Sequence, residues 1–272
     1  MQEMNRQKRI RRLIITSTFL FVATFSFSQT ITPKDIEKDL VQVSSKIFPF
    51  YYSNQDSLEF YSNLFTDKIS SYITKFPSTL DYPFQSLIDS NSCSIVTSAD
   101  GKFRIYSWDT WLGGTMHFFK NIIQFKLGDK VYCKKIDCGE DCPSGFYSQI
   151  FTLTAESKTY YLAINNSIYS TKDASQSIKV FAIENNSLND TLQLFKTKTE
   201  LLNIIDVNFD FFSVVNRPER PLRLIKYDAE KKIVYIPIVT ENGKVTDRFI
   251  LYQFNGQYLE HILTQKTKSV GK

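Results

Sequence analysis

The chain has 272 residues, of which 42% are hydrophobic and 15% aromatic, with 33 Lys+Arg against 28 Asp+Glu. This composition excludes a disordered chain, and the length suits one large domain or two small ones. The net charge of +5 is mostly local: Arg6, Lys8, Arg9, Arg11 and Arg12 face a single acid, Glu3, in the first 28 residues, so the remainder carries only about +1. A basic patch in the folded part is what nucleic-acid binding needs, and charges of both signs are interspersed there. Nucleic acid is therefore not expected as a partner.

Residues 1–28 have the layout of a secretory signal peptide. The basic stretch leads into an uncharged run from Leu13 to Ser28, and Ser26 and Ser28 stand at the minus-three and minus-one positions of a cut before Gln29. Sixteen residues interrupted by Ser and Thr fall short of the roughly 20 apolar residues that span a bilayer. The expectation is an exported protein, periplasmic or secreted, with no stable membrane span after cleavage. Residues 29–92 then read as a helical segment, 93–266 as an antiparallel β domain and 267–272 as a tail.

Thr32, Pro33 and Asp35 supply an N-cap, an N1 proline and an early acid, and Ile36, Leu40, Val43 and Ile47 recur at helical spacing, so a helix is predicted to end before Pro49. A second helix is predicted from Asp56 or Ser57 to Pro77, with Leu58, Tyr61, Phe65, Ile69 and Tyr72 as its apolar stripe. From Ser94 the pattern turns to β. Runs such as SIVTS, KFRIYSW, MHFFKNIIQFKL, SQIFTLTA, KTYYLAI, IKVFAIE, IVYIPIV and DRFILYQF are separated by Asp100-Gly101, Gly128-Asp129, Asn242-Gly243 and Asn255-Gly256, pairs suited to tight hairpins. LAINNSIYS and FAIENNSLND predict two successive strands ending in Asn-rich turns. The fold class is α+β, mainly β: about eight antiparallel strands in a sandwich or open barrel behind an N-terminal helical segment.

The stretch IVTSADGKFRIYSWDT resembles the end of a WD-repeat propeller blade, where a Ser-x-Asp-Gly turn precedes an aromatic strand ending in Trp-Asp. The resemblance implies a small, degenerate propeller as the alternative architecture. It covers sixteen residues, and no second copy is present where a propeller has 4 to 8 blades.

Four cysteines in an exported chain favour disulfides. Cys133, Cys138 and Cys142 crowd together and Cys93 stands apart, leaving three possible connectivities. Their spacing lacks the paired Cys-x-x-Cys of a zinc site, and Asp137, Glu140 and Asp141 lack the calcium-loop spacing, so no metal is expected. Neither a nucleophile elbow, a His-Glu-x-x-His motif, a phosphate-cradling loop nor a dinucleotide fingerprint is present, and no cofactor is expected. Asp206 and Asp210 are a formal carboxylate pair without a separation to interpret.

Both tryptophans and one of the two histidines fall within RIYSWDTWLGGTMHFF, residues 104–119. Read as a hairpin with a loop over Thr110–Gly113, Trp108 faces Thr115 and Tyr106 faces His117. Arg104, Tyr106, Trp108 and His117 then form an amphipathic platform, with Trp111 in the loop, suited to a sugar ring or a peptide. Phe103, Ile105 and Ser107 take the opposite, core face. A one-residue shift instead sets Ser107 against His117 and Asp109 against Thr115, gathering the composition of a Ser-His-Asp triad. The expected function is a non-catalytic exported protein that binds a macromolecule or glycan in the cell envelope. The alternatives are a hydrolase of envelope material and a structural accessory domain, whose platform would be buried beneath the N-terminal helices.

Overall fold

A computed structural model describes residues 31–136, 144–156 and 158–266. Three helices come first: α1 (Pro33–Ser44), α2 (Gln55–Lys75) and the short α3 (Gln85–Asp89), with a 3-10 turn over Phe48–Phe50 between the first two. Proline at position 33 starts α1 where its missing N–H costs nothing, and the α2 entry is capped by Asn54, whose side-chain oxygen accepts the Ser57 N–H at 2.9 Å. The stripe Ile36, Leu40, Val43 and Ile47 is buried, as are Leu58, Phe65 and Ile69; Tyr61 and Tyr72 lie half-buried at its margin.

The strands form three sheets. The first runs β1 (Ser94–Thr97), β2 (Phe103–Asp109), β3 (Phe119–Leu127) and β4 (Lys130–Ile136) in sequence order, all antiparallel. The second has the order β11-β7-β6-β5, built from β5 (Phe146–Ala155), β6 (Lys158–Ile168), β7 (Asp173–Glu184) and β11 (Ile204–Asp210), with the short β8 (Ser187–Asn189) paired to β7. In the third, β9 (Phe195–Lys196), β10 (Leu201–Leu202), β12 (Lys226–Asp228), β13 (Ile233–Val239), β14 (Val245–Phe254) and β15 (Leu259–Lys266) take the order β10-β9-β15-β14-β13-β12. The chain is mainly β with a short N-terminal helical segment and a curled half-barrel, as the α+β expectation required. The sheets stack as layers and do not radiate as propeller blades; the WD-like stretch is one β1–β2 hairpin.

Burial explains the layering. Tyr106, Trp108 and Ile122 pack on the helices, while Phe103, Ile105, Ile123 and Phe125 on the opposite face of the first sheet meet Tyr147, Tyr161, Ala163 and Phe181 of the second. Leu162, Ile164, Ile178 and Val180 then turn to Val234, Ile236, Tyr252 and Leu259 of the third. Both faces of the first two sheets are therefore largely buried, and along β2 and β7 near-continuous burial, polar side chains included, replaces the usual inside/outside alternation. Among the described residues no helix is long and apolar enough to cross a membrane.

Two turn expectations separate here. Asn185 (φ 50°) and Asn186 (φ 60°) form a two-residue turn between Glu184 and Ser187 with both residues left-handed, as a type I′ turn requires. Asn165 and Asn166, by contrast, lie inside β6. The Asn166 amide donates to Ser148 Oγ at 2.8 Å and its carbonyl accepts from Gln176 Nε2 at 2.7 Å, so cross-strand partners replace the local bonds that would make a turn.

Candidate functional site

The platform residues on β2 are in the core. Arg104 is 7% exposed, Tyr106 is fully buried and Trp108 is 3% exposed. Their polar atoms are engaged mainly by the helical segment: Arg104 Nη1 donates to the carbonyls of Thr79 (2.9 Å) and Tyr82 (2.6 Å) after α2, while its Nε donates to Thr97 Oγ1 (2.7 Å) on β1. The Tyr106 hydroxyl sits 2.8 Å from Thr79 O and 2.7 Å from Gln124 Oε1, and Gln124 Nε2 reaches Ile73 O and Thr79 Oγ1. Trp108 Nε1 donates to Thr66 Oγ1 at 3.0 Å on α2. The alternation of faces is as the sequence predicts; what the sequence leaves out is that helices cover the second face. Arg104, Tyr106 and Trp108 are thus not an exposed ligand platform; they lie beneath the helical segment, the arrangement that the structural accessory reading called for.

Neither expected hairpin register is present. Trp108 pairs with Lys120, Ser107 with Asn121 and Asp109 with Phe119, which leaves Thr110 to Phe118 as a nine-residue loop. The Thr110 N–H and hydroxyl both donate to the Phe118 carbonyl and close its base. Asp109 organises the interior, because Oδ1 accepts the Trp111 N–H at 2.8 Å and Oδ2 lies 2.5 Å from His117 Nδ1. Trp111 is held at φ 60°, a backbone region disfavoured for a bulky residue. A Cβ on Gly113 would stand 2.0 Å from the Met116 carbonyl oxygen and 2.7 Å from the Phe118 ring, so only glycine fits. The His117 N–H donates to Ile168 O at 3.0 Å, fastening the loop to the end of β6.

Of the triad composition, only Asp109 and His117 come together. Ser107 is 1% exposed and accepts the Tyr147 N–H through its Oγ at 3.0 Å; among the described residues it makes no hydrogen bond to either partner. The His117 pKa is raised from its ordinary value chiefly by the hydrogen bond to Asp109, with burial opposing. Nδ1 faces the carboxylate, and Nε2 has no hydrogen-bond partner among the described residues.

The loop brings together a surface that motif reading missed. Trp111 meets Phe48 edge-on at 5.6 Å, Tyr51 at 5.5 Å and His117 at 6.0 Å, while Tyr51 meets Tyr52 at 4.5 Å. The Tyr51 hydroxyl donates to Gly114 O at 3.2 Å, tying the 3-10 turn to the loop. Phe48 is 59% exposed, Tyr52 87% and Leu112 37%, with Trp111 half-buried against the helical core. The available signal was FPFYY itself: four aromatic residues around a proline, outside the stripes of both helices.

Cys93 and Cys133 are free thiols and do not pair with each other; Cys138 and Cys142, the other candidates, lie outside the described residues, as do Asp137, Glu140 and Asp141. Cys93 is buried before β1, and Cys133, on the helix-facing side of β4, contacts Ile73 O. Asp206 and Asp210 share β11 four residues apart, about 13 Å at strand spacing, too far for a glycosidase pair at roughly 5–9.5 Å. Among the described residues no cluster of His, Cys, Asp or Glu is placed to hold a metal ion. Among the described residues, clefts of about 680 and 580 Å³ lie elsewhere, and the larger sets Lys102, Lys126 and Lys158 among Asp81, Asp100, Asp129 and Glu184. Neither includes the aromatic surface. Compared with protein-family models and with curated proteins, the chain matches none.

Proposed function

We propose that this chain is an exported, non-catalytic protein that binds a macromolecule or glycan of the cell envelope through the surface formed by Phe48, Tyr52, Trp111 and Leu112. The observation that carries the reading is the pairing of exposure with rigidity. Phe48 and Tyr52 stand in water beside Trp111, which is half-buried on a loop fixed by its own left-handed backbone, an obligatory glycine and the half-buried Asp109 carboxylate, and the Tyr51 hydroxyl ties the two segments together. Exposed apolar residues that occur singly need no explanation, whereas a contiguous group marks an interaction site. Strain held at such a loop is the usual mark of pre-organisation for contact.

The test is co-sedimentation of the purified protein with isolated cell envelopes. Tyr52→Ala and Trp111→Ala are expected to lower the bound fraction with unchanged circular dichroism; binding that survives the double substitution overturns the reading. A hydrolase reading retains one supporting observation, the Asp109–His117 pair with Nε2 open, which could serve a water as base. Turnover of envelope material that disappears in His117→Ala, while co-sedimentation persists, would favour it.

A further inference from the structure

We propose that the ligand of this aromatic surface is a neutral polysaccharide, stacked on Trp111 and Tyr52 and hydrogen-bonded through His117 Nε2. The proposal rests on the binding reading above and narrows it by charge and by polarity.

Charge comes first. The segments that build the surface, residues 47–54 (IFPFYYSN) and 110–119 (TWLGGTMHFF), contain no Lys, Arg, Asp or Glu. The one adjoining carboxylate, Asp109, has each oxygen bonded to a group of its own loop, and it already partners the only cationisable group, His117. Recognition of a phosphate, a uronate or an acidic peptide draws on Arg forks or Lys ammonium groups. None stands within either segment; of the two lysines that flank them, Lys46 holds its Nζ over the Tyr61 ring and Lys120 lies on β3 beyond the loop, so the rings themselves complement a ligand without net charge.

Polarity then separates the neutral ligands. Trp111 Nε1, Tyr52 Oη and His117 Nε2 have no hydrogen-bond partners among the described residues, and all three belong to rings of the surface. A wholly apolar occupant, whether acyl chains or the stripe of a helix, would strip these groups of water and return nothing, a cost that falls on every unsatisfied polar atom. A pyranose chain presents C–H faces to stack on rings and hydroxyls to meet their polar edges. Trp and Tyr side chains, apolar in body and polar at one end, match that alternation. Phe48 and Tyr51 stand at 75° and 76° to the Trp111 ring and buttress it edge-on. Trp111 is therefore set before the ligand arrives, and its share of the ordering cost is already met, whereas Tyr52 touches only the edge of Tyr51.

Affinity electrophoresis through gels containing hydroxyethylcellulose, laminarin or mannan, with alginate as the acidic counterpart, tests the proposal. At least one neutral polysaccharide is expected to retard the protein, and alginate is not. Tyr52→Ala, at a position 87% exposed and so without a folding role, is expected to weaken retention about tenfold, as is Trp111→Ala. His117→Leu should lose retention, and His117→Gln, which restores a side-chain donor, should recover part of it. Retention by alginate alone overturns the neutral ligand, and retention untouched by the substitutions overturns the site. Envelope co-sedimentation that depends on Tyr52 without retardation by any neutral polysaccharide leaves the binding surface standing and overturns the glycan. So does Tyr52-dependent dimerisation, or Tyr52-dependent sedimentation with phosphatidylcholine vesicles.

Discussion

Asp109 supports the loop with two bonds, one to a strained backbone N–H and one to an imidazole, and the second makes its contribution depend on pH. The folded state raises the His117 pKa above its ordinary 6.5, so it favours the protonated ring. The associated stability is fully present below the unfolded value and is lost as pH rises through the folded one. An NMR titration should therefore place His117 above 6.5 in the wild type and lower in Asp109→Asn, and the stability gap between the two proteins should narrow as pH rises through the wild-type value. A gap that widens with pH would contradict the assignment. Tyr106→Phe removes a buried hydroxyl shared with Thr79 O and Gln124 Oε1, and denaturant unfolding should show a loss of about 1–3 kcal/mol. Burial also pushes the Cys93 thiol up, well beyond its usual range. Cys93 should resist alkylation in the native protein and react once it unfolds, while a mass shift showing Cys93 in a disulfide would contradict the fold around β1.

At the scale of elements, the sequence is informative wherever a period repeats and silent where side chains substitute for backbone pairing. The helical stripes, the β2 alternation and the Asn185-Asn186 turn were all legible, because each depends on neighbours within a few residues. The hairpin register was not. Thr110–Phe118 looks like a tight turn with a strand resuming at Met116, but the Asp109 carboxylate, a left-handed Trp111 and the Gly113 backbone approach favour a wide loop instead. The strand β4 was also missed, since its three lysines among seven residues, usual at an exposed edge, blur the apolar pattern by which a strand is read. Gln176 shows the same limit from the other side. From β7 it donates to Leu222 O and accepts the N–H groups of Leu224 and Ile225, holding a segment that forms no strand. Gln176→Ala should cost at least about 2 kcal/mol by thermal or denaturant unfolding, because it leaves buried backbone groups unpaired.

For the whole molecule, the stacking of helices on the first sheet decides which aromatic residues are available to a partner. Composition indicates a mainly β chain with enough apolar residues for a core, yet it cannot assign the two sides of a sheet when both are covered. Arg104, Tyr106 and Trp108 looked like a platform because polar and aromatic groups alternate with apolar ones; their partners, Thr66, Thr79 and Tyr82, come from the helical segment far away in sequence. The exposed rings lie at the rim of that same packing, where the turn after α1 meets the loop after β2. Intrinsic fluorescence during binding to envelope material tests this division most directly, because the chain has two tryptophans, one core and one surface. The predicted result is a change in emission in the wild type that vanishes in Trp111→Phe, where Trp108 is the only indole left. A change of equal size in Trp111→Phe would place the ligand at the β2 face and contradict the account.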